Sequence, residues 1–237
     1  MFSNSTVLLT GVGAEGQVGE VVARAFAALD ASLVLVDRAP EHVHARAAAL
    51  AASGAKVHGY ACDLTDEASV EGLVREVRAN HGAKLRALVH MAGGFAMSGP
   101  IGESSFEVWN RQIAINLTTA YLASRAFLPL LRPESGALLF FASEAALPGA
   151  NAANRSAYAI AKTGVVTLMR AIAAEEQKAG TGVRANAVAP TAIRTAANVE
   201  AMGGDVRYVE REEIASTVTF LCSPSASAIN GAVIPLS

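Results

Sequence analysis

Tyr158 and Lys162 stand four residues apart in Tyr158-Ala159-Ile160-Ala161-Lys162. On a helix that spacing puts a phenol and an ammonium on one face. An adjacent cation favours the phenolate, which lowers the tyrosine pKa and makes the phenol a usable proton donor or acceptor near neutral pH. The spacing alone also describes a surface pair with no chemistry, so the rest of the chain must decide.

A second set of residues points to a nucleotide. Thr10 precedes Gly11-Val12-Gly13-Ala14-Glu15-Gly16-Gln17-Val18-Gly19, in which Gly11, Gly13 and Gly16 spell GxGxxG. Glycines there let the backbone turn tightly against a pyrophosphate, and the helix that follows aims free N–H groups at the negative charge. The motif is common by chance, but here it lies between a strand-like and a helix-like run, as it must. The next apolar run ends in Val36-Asp37-Arg38. Asp37 is placed to accept from adenosine ribose hydroxyls and to repel a 2′-phosphate, and Glu15 acts in the same sense. NAD(H) is therefore favoured over NADP(H), with Arg38 arguing the other way. Asp63-Leu64 closes a third run. Asp63 either meets an adenine edge or leads the turn into the next helix. Ala92-Gly93-Gly94, after His90-Met91, are small enough for a cofactor to lie against the backbone.

These residues need elements to hold them. Short β-branched runs alternate with alanine-rich helical stretches. Strands are expected at Thr6–Thr10, Leu33–Val36, Lys56–Ala61, Ala87–His90, Ala137–Ala142, Arg184–Val188 and Ala232–Pro235. Helices are expected near 18–29, 41–52, 66–80, 105–131, 156–179 and 212–222. Val70, Leu73, Val74 and Val77 share one helix face, and Asp66 and Ser104 are candidate N-caps. Strand–helix alternation with near-continuously apolar strands predicts an α/β domain: a doubly wound, seven-stranded parallel sheet with helices on both faces. Thr195 to Arg211, with Gly203-Gly204, reads as a partly mobile substrate-side loop.

With these pieces in order, the chain resembles the short-chain dehydrogenase/reductase family of the classical type. The resemblance is carried by Thr10-Gly11 and its loop, Asp37, Asp63-Leu64, Ala92-Gly93, Asn116 in Ile115-Asn116-Leu117, and Ser143. It continues through Tyr158 and Lys162 to Asn186-Ala187-Val188-Ala189-Pro190 and Ile193-Arg194-Thr195. It spans almost the whole chain and implies a single-domain Rossmann fold over residues 1–237. It also implies roles. Tyr158 would pass a proton to or from the substrate oxygen, and Ser143 would hydrogen-bond that oxygen. Lys162 would bind the nicotinamide ribose and tune Tyr158, and Asn116 would hold a water leading from Lys162 to solvent. Pro190, Ile193 and Thr195 would cradle the nicotinamide. The implied reaction interconverts an alcohol and a carbonyl by hydride transfer.

The chain departs from the family pattern in places. The glycine loop is two residues longer than usual, with Gln17 where a middle glycine is expected. His90-Met91 replaces a pair of asparagines, and Thr191 replaces a glycine. Ser143 and Tyr158 are fifteen residues apart, with the extra length assigned to 148–155. The segment after Thr195 is short, and the chain ends in Pro235-Leu236-Ser237 without the usual Asp-Gly-Gly.

Composition limits the alternatives. The 237 residues are 52% hydrophobic with a net charge of −2, enough apolar material for one core and no basic surplus for nucleic acid or an anionic membrane. Cys62 and Cys222 are too far apart in sequence for a CxxC motif, so reduced core thiols and no metal are expected. Met1 to Thr6 lacks a basic leader, and no run approaches roughly 20 uninterrupted apolar residues. These features suggest a cytoplasmic protein acting on a small alcohol or carbonyl compound. A homo-oligomer, tetramer or dimer, is implied by the resemblance. A silent dinucleotide-binding module and a Rossmann methyltransferase are the rivals; neither explains Ser143, Tyr158 and Lys162 together.

Overall fold

The computed structural model describes residues 2–237. Met1, at the head of the segment read for a leader, lies outside the described residues. The strands are β1 (Thr6–Thr10), β2 (Ser32–Asp37), β3 (Val57–Ala61), β4 (Ala87–His90), β5 (Ala137–Phe141), β6 (Arg184–Pro190), β7 (Ala192–Ile193), β8 (Tyr208–Val209) and β9 (Val233–Leu236). The helices are α1 (Val18–Ala27), α2 (Pro40–Ala52), α3 (Glu67–His81), α4 (Phe106–Ile113), α5 (Thr119–Leu131), α6 (Ser156–Lys178), α7 (Ala196–Met202) and α8 (Arg211–Cys222).

Seven strands form one sheet in the order β3-β2-β1-β4-β5-β6-β9, and every pairing is parallel. This is the doubly wound, single-domain Rossmann arrangement that the alternation of elements requires. Its strands are apolar on both faces because both faces are covered. On β1, Leu8 joins a core cluster with Val70 of α3, Phe127 of α5 and Met169 of α6. Val7 and Leu9 face the other way, into a cluster with Phe26 of α1, Val43 of α2 and Ile214 of α8. Cys62 and Cys222 are both free and buried.

Three local expectations need correction. The single helix expected over 105–131 is two α-helices joined by a π-helical turn at Ala114–Thr118. Its N-cap is Ser105, whose hydroxyl accepts from the N–H groups of Glu107 and Val108, whereas Ser104 donates to Ile101 O. The region 195–211 is not simply a loop. The Thr195 hydroxyl caps α7, and β7 pairs with β8 on either side of it. Asp66 does cap α3, accepting from Ser69 N at 2.8 Å.

By length and composition α6, with 23 residues, is apolar enough to cross a membrane, although Lys162 and Arg170 interrupt its apolar run. Half of its most apolar window is buried inside this domain, with Val165 and Met169 in the core, as a core helix requires.

Candidate active site

β1, β4, β5 and β6 all end on the carboxyl edge of the sheet, where ligands bind in open α/β folds. The chain after β5 turns at once into a short 3₁₀ turn, Glu144–Ala146, for which Ser143 is the N-cap. Its hydroxyl accepts weakly from Ala145 N at 3.3 Å, and the residue as a whole is buried. The lengthened Ser–Tyr connection is closed by an ion pair, Arg155 Nη1 to Glu144 Oε1 at 2.9 Å. α6 then begins at Ser156 and presents Tyr158 and Lys162 on one face. The Phe95 ring meets the Tyr158 ring edge-on, with centroids 5.0 Å apart.

Lys162 is buried, and its Nζ donates to Phe141 O at 2.8 Å while lying 5.9 Å from the Tyr158 ring centroid. Burial pulls its pKa down to about 8. Tyr158 runs against the expectation of a lowered pKa. Burial holds it above the ordinary phenol value, opposed by the Ser143 hydroxyl and the Arg155 charge. Desolvation disfavours the phenolate more than these partners favour it.

Asn116 lies within the π-helical turn and is buried. Its Oδ1 accepts from Gly94 N at 3.1 Å, and its Nδ2 donates to Gly94 O at 2.9 Å and Gln112 O at 3.1 Å. The asparagine thus clasps the strand-end backbone from both sides. A Cβ on Gly93 would lie 2.6 Å from Asn116 Oδ1 and 3.4 Å from Lys162 Nζ, so Asn116, Lys162 and Gly93 converge at one point. A one-residue π insertion re-aims side chains and recurs at functional sites.

His90 ties the same region together. Thr10 Oγ1 accepts from Met91 N and Ala92 N, both at 3.2 Å, and so gives its own proton to His90 Nδ1 at 3.1 Å. His90 Nε2–H then donates to Thr119 Oγ1 at 3.2 Å, which donates to Ile115 O at 2.8 Å. This network fixes the tautomer. Burial, followed by the Lys162 charge, takes the His90 pKa down to about 3. The sequence marked His90 only as a replaced asparagine; its link to the π turn needs the tertiary contact.

In the glycine loop three N–H groups are already engaged. Gly11 N donates to Val36 O at 2.8 Å, Gly13 N to Asp37 Oδ2 at 2.8 Å and Gly16 N to Glu20 Oε2 at 2.7 Å. Gly11 has φ +72°, and a Cβ there would be 2.7 Å from Ala92 N. Gly19 carries the close helix–strand approach: its Cβ would sit 2.6 Å from Gly11 O. Gln17, the N-cap of α1, makes no side-chain cap bond, so first-turn N–H groups from Val18 onward stay available to an anion.

Beside this loop lies an open cleft of about 290 Å³ lined by Gly11, Asp37, Arg38, Asp63, Leu64 and Ala92–Gly94. Cys62, Thr65, Arg111, Ile115 and Thr119 also line it, none of them read from the sequence as a cofactor contact. Thr65 and Thr119 carry no motif, and Arg111 is reached only through the fold. Asp37 Oδ1 accepts from Ala39 N at 3.2 Å, leaving lone pairs on both oxygens. Asp63 is both turn acid and cleft residue. It accepts from Thr65 Oγ1 at 2.6 Å and Thr65 N at 2.9 Å, and these bonds hold its pKa below the usual range. Glu15 is outside the cleft, exposed and 3.4 Å from Arg46. Pro190 ends β6 and Ile193 ends β7, while Thr195 is buried as the α7 cap. The glycine contacts leave a cradle that any Cβ would fill, beside an acid and unused helix N–H groups. That donor set suits a dinucleotide.

Comparison with known proteins agrees with the geometry. A protein-family model described as "Enoyl-(Acyl carrier protein) reductase" matches residues 11–237. D-threitol dehydrogenase of Mycolicibacterium smegmatis is 34% identical, over 93% of this chain and 87% of that protein. Meso-2,3-butanediol dehydrogenase of Serratia marcescens is 34% identical, over 99% of this chain and 94% of its own. The crystal structure of gox2181 superposes with a TM-score of 0.90 at 27% identity, covering 99% of this chain and 94% of the other.

Proposed function

The chain belongs to the classical short-chain dehydrogenase/reductase family, a nicotinamide-dependent oxidoreductase acting on CH–OH groups, and we propose that Tyr158 is its proton donor and acceptor. When bound, the nicotinamide supplies or accepts the hydride. Tyr158 gives its proton to the carbonyl oxygen during reduction and takes it back during oxidation. Burial keeps the phenol protonated at neutral pH, which suits reduction; oxidation needs the phenolate and gains rate towards alkaline pH. Ser143 donates to the same oxygen. Lys162 and Asn116 hold the floor of the site, and Lys162 binds the nicotinamide ribose. The convergence of Asn116, Lys162 and Gly93 beneath Tyr158 carries this reading.

The preferred cofactor is NAD(H), because Asp37 faces the cleft with free acceptor positions. The substrate is an uncharged secondary alcohol or ketone. Phe95, which meets the Tyr158 ring, and Met97 two residues further on are both more than half exposed, and the Glu144–Arg155 pair neutralises itself. The two relatives above are named for threitol and butanediol, both uncharged polyols. The test is titration with NADH and NADPH by fluorescence, followed by a panel of vicinal diols and ketones read by reduced-cofactor absorbance. NADH binding with turnover of an uncharged diol or ketone is expected. Asp37→Ala should weaken NADH by about tenfold, or 1.4 kcal/mol, and leave NADPH unaffected or tighter. Binding without any turnover would leave a silent module, and binding of neither nucleotide would remove the reading altogether.

A further inference from the structure

Two arginines from distant parts of the chain hold the lengthened glycine loop. Arg46 of α2 meets Glu20 at 3.0 Å and Glu15 at 3.4 Å, so its charge is answered twice. Arg211 is different. It is the first residue of α8, which packs beside α1. Its Nη1 donates to Gly16 O at 2.5 Å. Among the described residues it forms an ion pair with no carboxylate; its Nε, like that of Arg46, is buried without a hydrogen-bond partner.

A buried donor left unused is costly, and a half-buried guanidinium with no counter-charge more so. Such a group next to unfilled helix N–H groups matches a doubly charged anion, for which guanidinium geometry is suited. The acids of the loop do not satisfy it: Glu20 is shared by Arg24, Arg46 and Gly16 N, and Glu15 is turned to Arg46. We infer that Arg211 supplies the cation that binds the pyrophosphate of the cofactor, across the loop from the N-terminus of α1. This rests on the dinucleotide reading above. It gives the extra loop residues a purpose, since they carry Gly16 out to reach α8.

The probes are ADP, which carries the pyrophosphate, and adenosine, which lacks it, titrated calorimetrically into the full chain at low and high salt. Arg211→Gln should weaken ADP by about tenfold, or 1.4 kcal/mol, leave adenosine unchanged, and flatten the salt dependence of ADP binding. Arg211→Lys should keep most of that salt dependence. In the unaltered chain ADP, but not adenosine, should protect Arg211 from an arginine-directed dicarbonyl reagent, read by peptide mass spectrometry; this stands even if Arg211→Gln fails to fold. A chain that binds NADH and ADP while Arg211→Gln binds ADP equally well, or with an unchanged salt slope, overturns the role of Arg211 alone. Equal modification of Arg211 with and without ADP overturns it too. Failure of the unaltered chain to bind NADH and ADP overturns both readings.

Discussion

At the carboxyl end of β4, His90 accepts from Thr10 and donates to Thr119, and protonating Nδ1 breaks the first of these bonds. The ring is buried, with a folded pKa near 3 against an ordinary value of 6.5. Below 6.5 the unfolded chain takes up a proton that the folded chain refuses. His90 therefore contributes stability that is complete above pH 6.5 and is lost as the pH falls towards 3. Urea unfolding from pH 7 to 4 should fall more steeply for the unaltered chain than for His90→Asn, by up to about 1.4 kcal/mol per pH unit. Parallel curves would show that His90 does not stay neutral. At this scale sequence spacing singled out Tyr158, Lys162 and Asp37, because the roles proposed for them are local or motif-borne. It marked His90 only as a departure. It also gave the wrong direction for Tyr158, because i,i+4 spacing suggests a cation's pull and does not show the burial that raises the phenol pKa.

Among the elements, α1 can start where it does only because Gly19 lets it press on β1. An alanine there would place a Cβ 2.6 Å from Gly11 O, and backbone cannot swing aside as a side chain can. Gly19→Ala should destabilise the fold by about 1–3 kcal/mol and weaken NADH binding together. Gly72→Ala is the control: its Cβ would meet only Arg75 Nη2 at 3.8 Å, so helix propensity should stabilise it by up to about 1 kcal/mol. Equal effects at the two positions would show that the contact at Gly19 is not limiting. Helices such as α3, with its apolar stripe and Asp66 cap, were legible from periodicity. The π turn was not, because one inserted residue barely disturbs the apolar pattern of 105–131. α7 was missed behind Gly203-Gly204, although Thr195 followed by two alanines is a usable N-cap signal.

Across the whole molecule, strand–helix alternation and right-handed crossovers leave little choice of topology, which is why the seven-stranded order could be anticipated. What the sequence hid are pairings between distant segments, such as Arg211 with Gly16, 195 positions apart. The candidate site lies where these segments meet. β1 contributes Thr10 and β4 His90, the turn after β5 brings Ser143, α6 adds Tyr158 and Lys162, and the π turn carries Asn116. The most direct test of that assembly is Tyr158→Phe, with cofactor binding and turnover measured on one preparation. Turnover of the substrate should fall by about 10²–10⁴-fold while NADH binds nearly as before. Turnover close to that of the unaltered chain would contradict the account, for it would take the proton chemistry away from Tyr158.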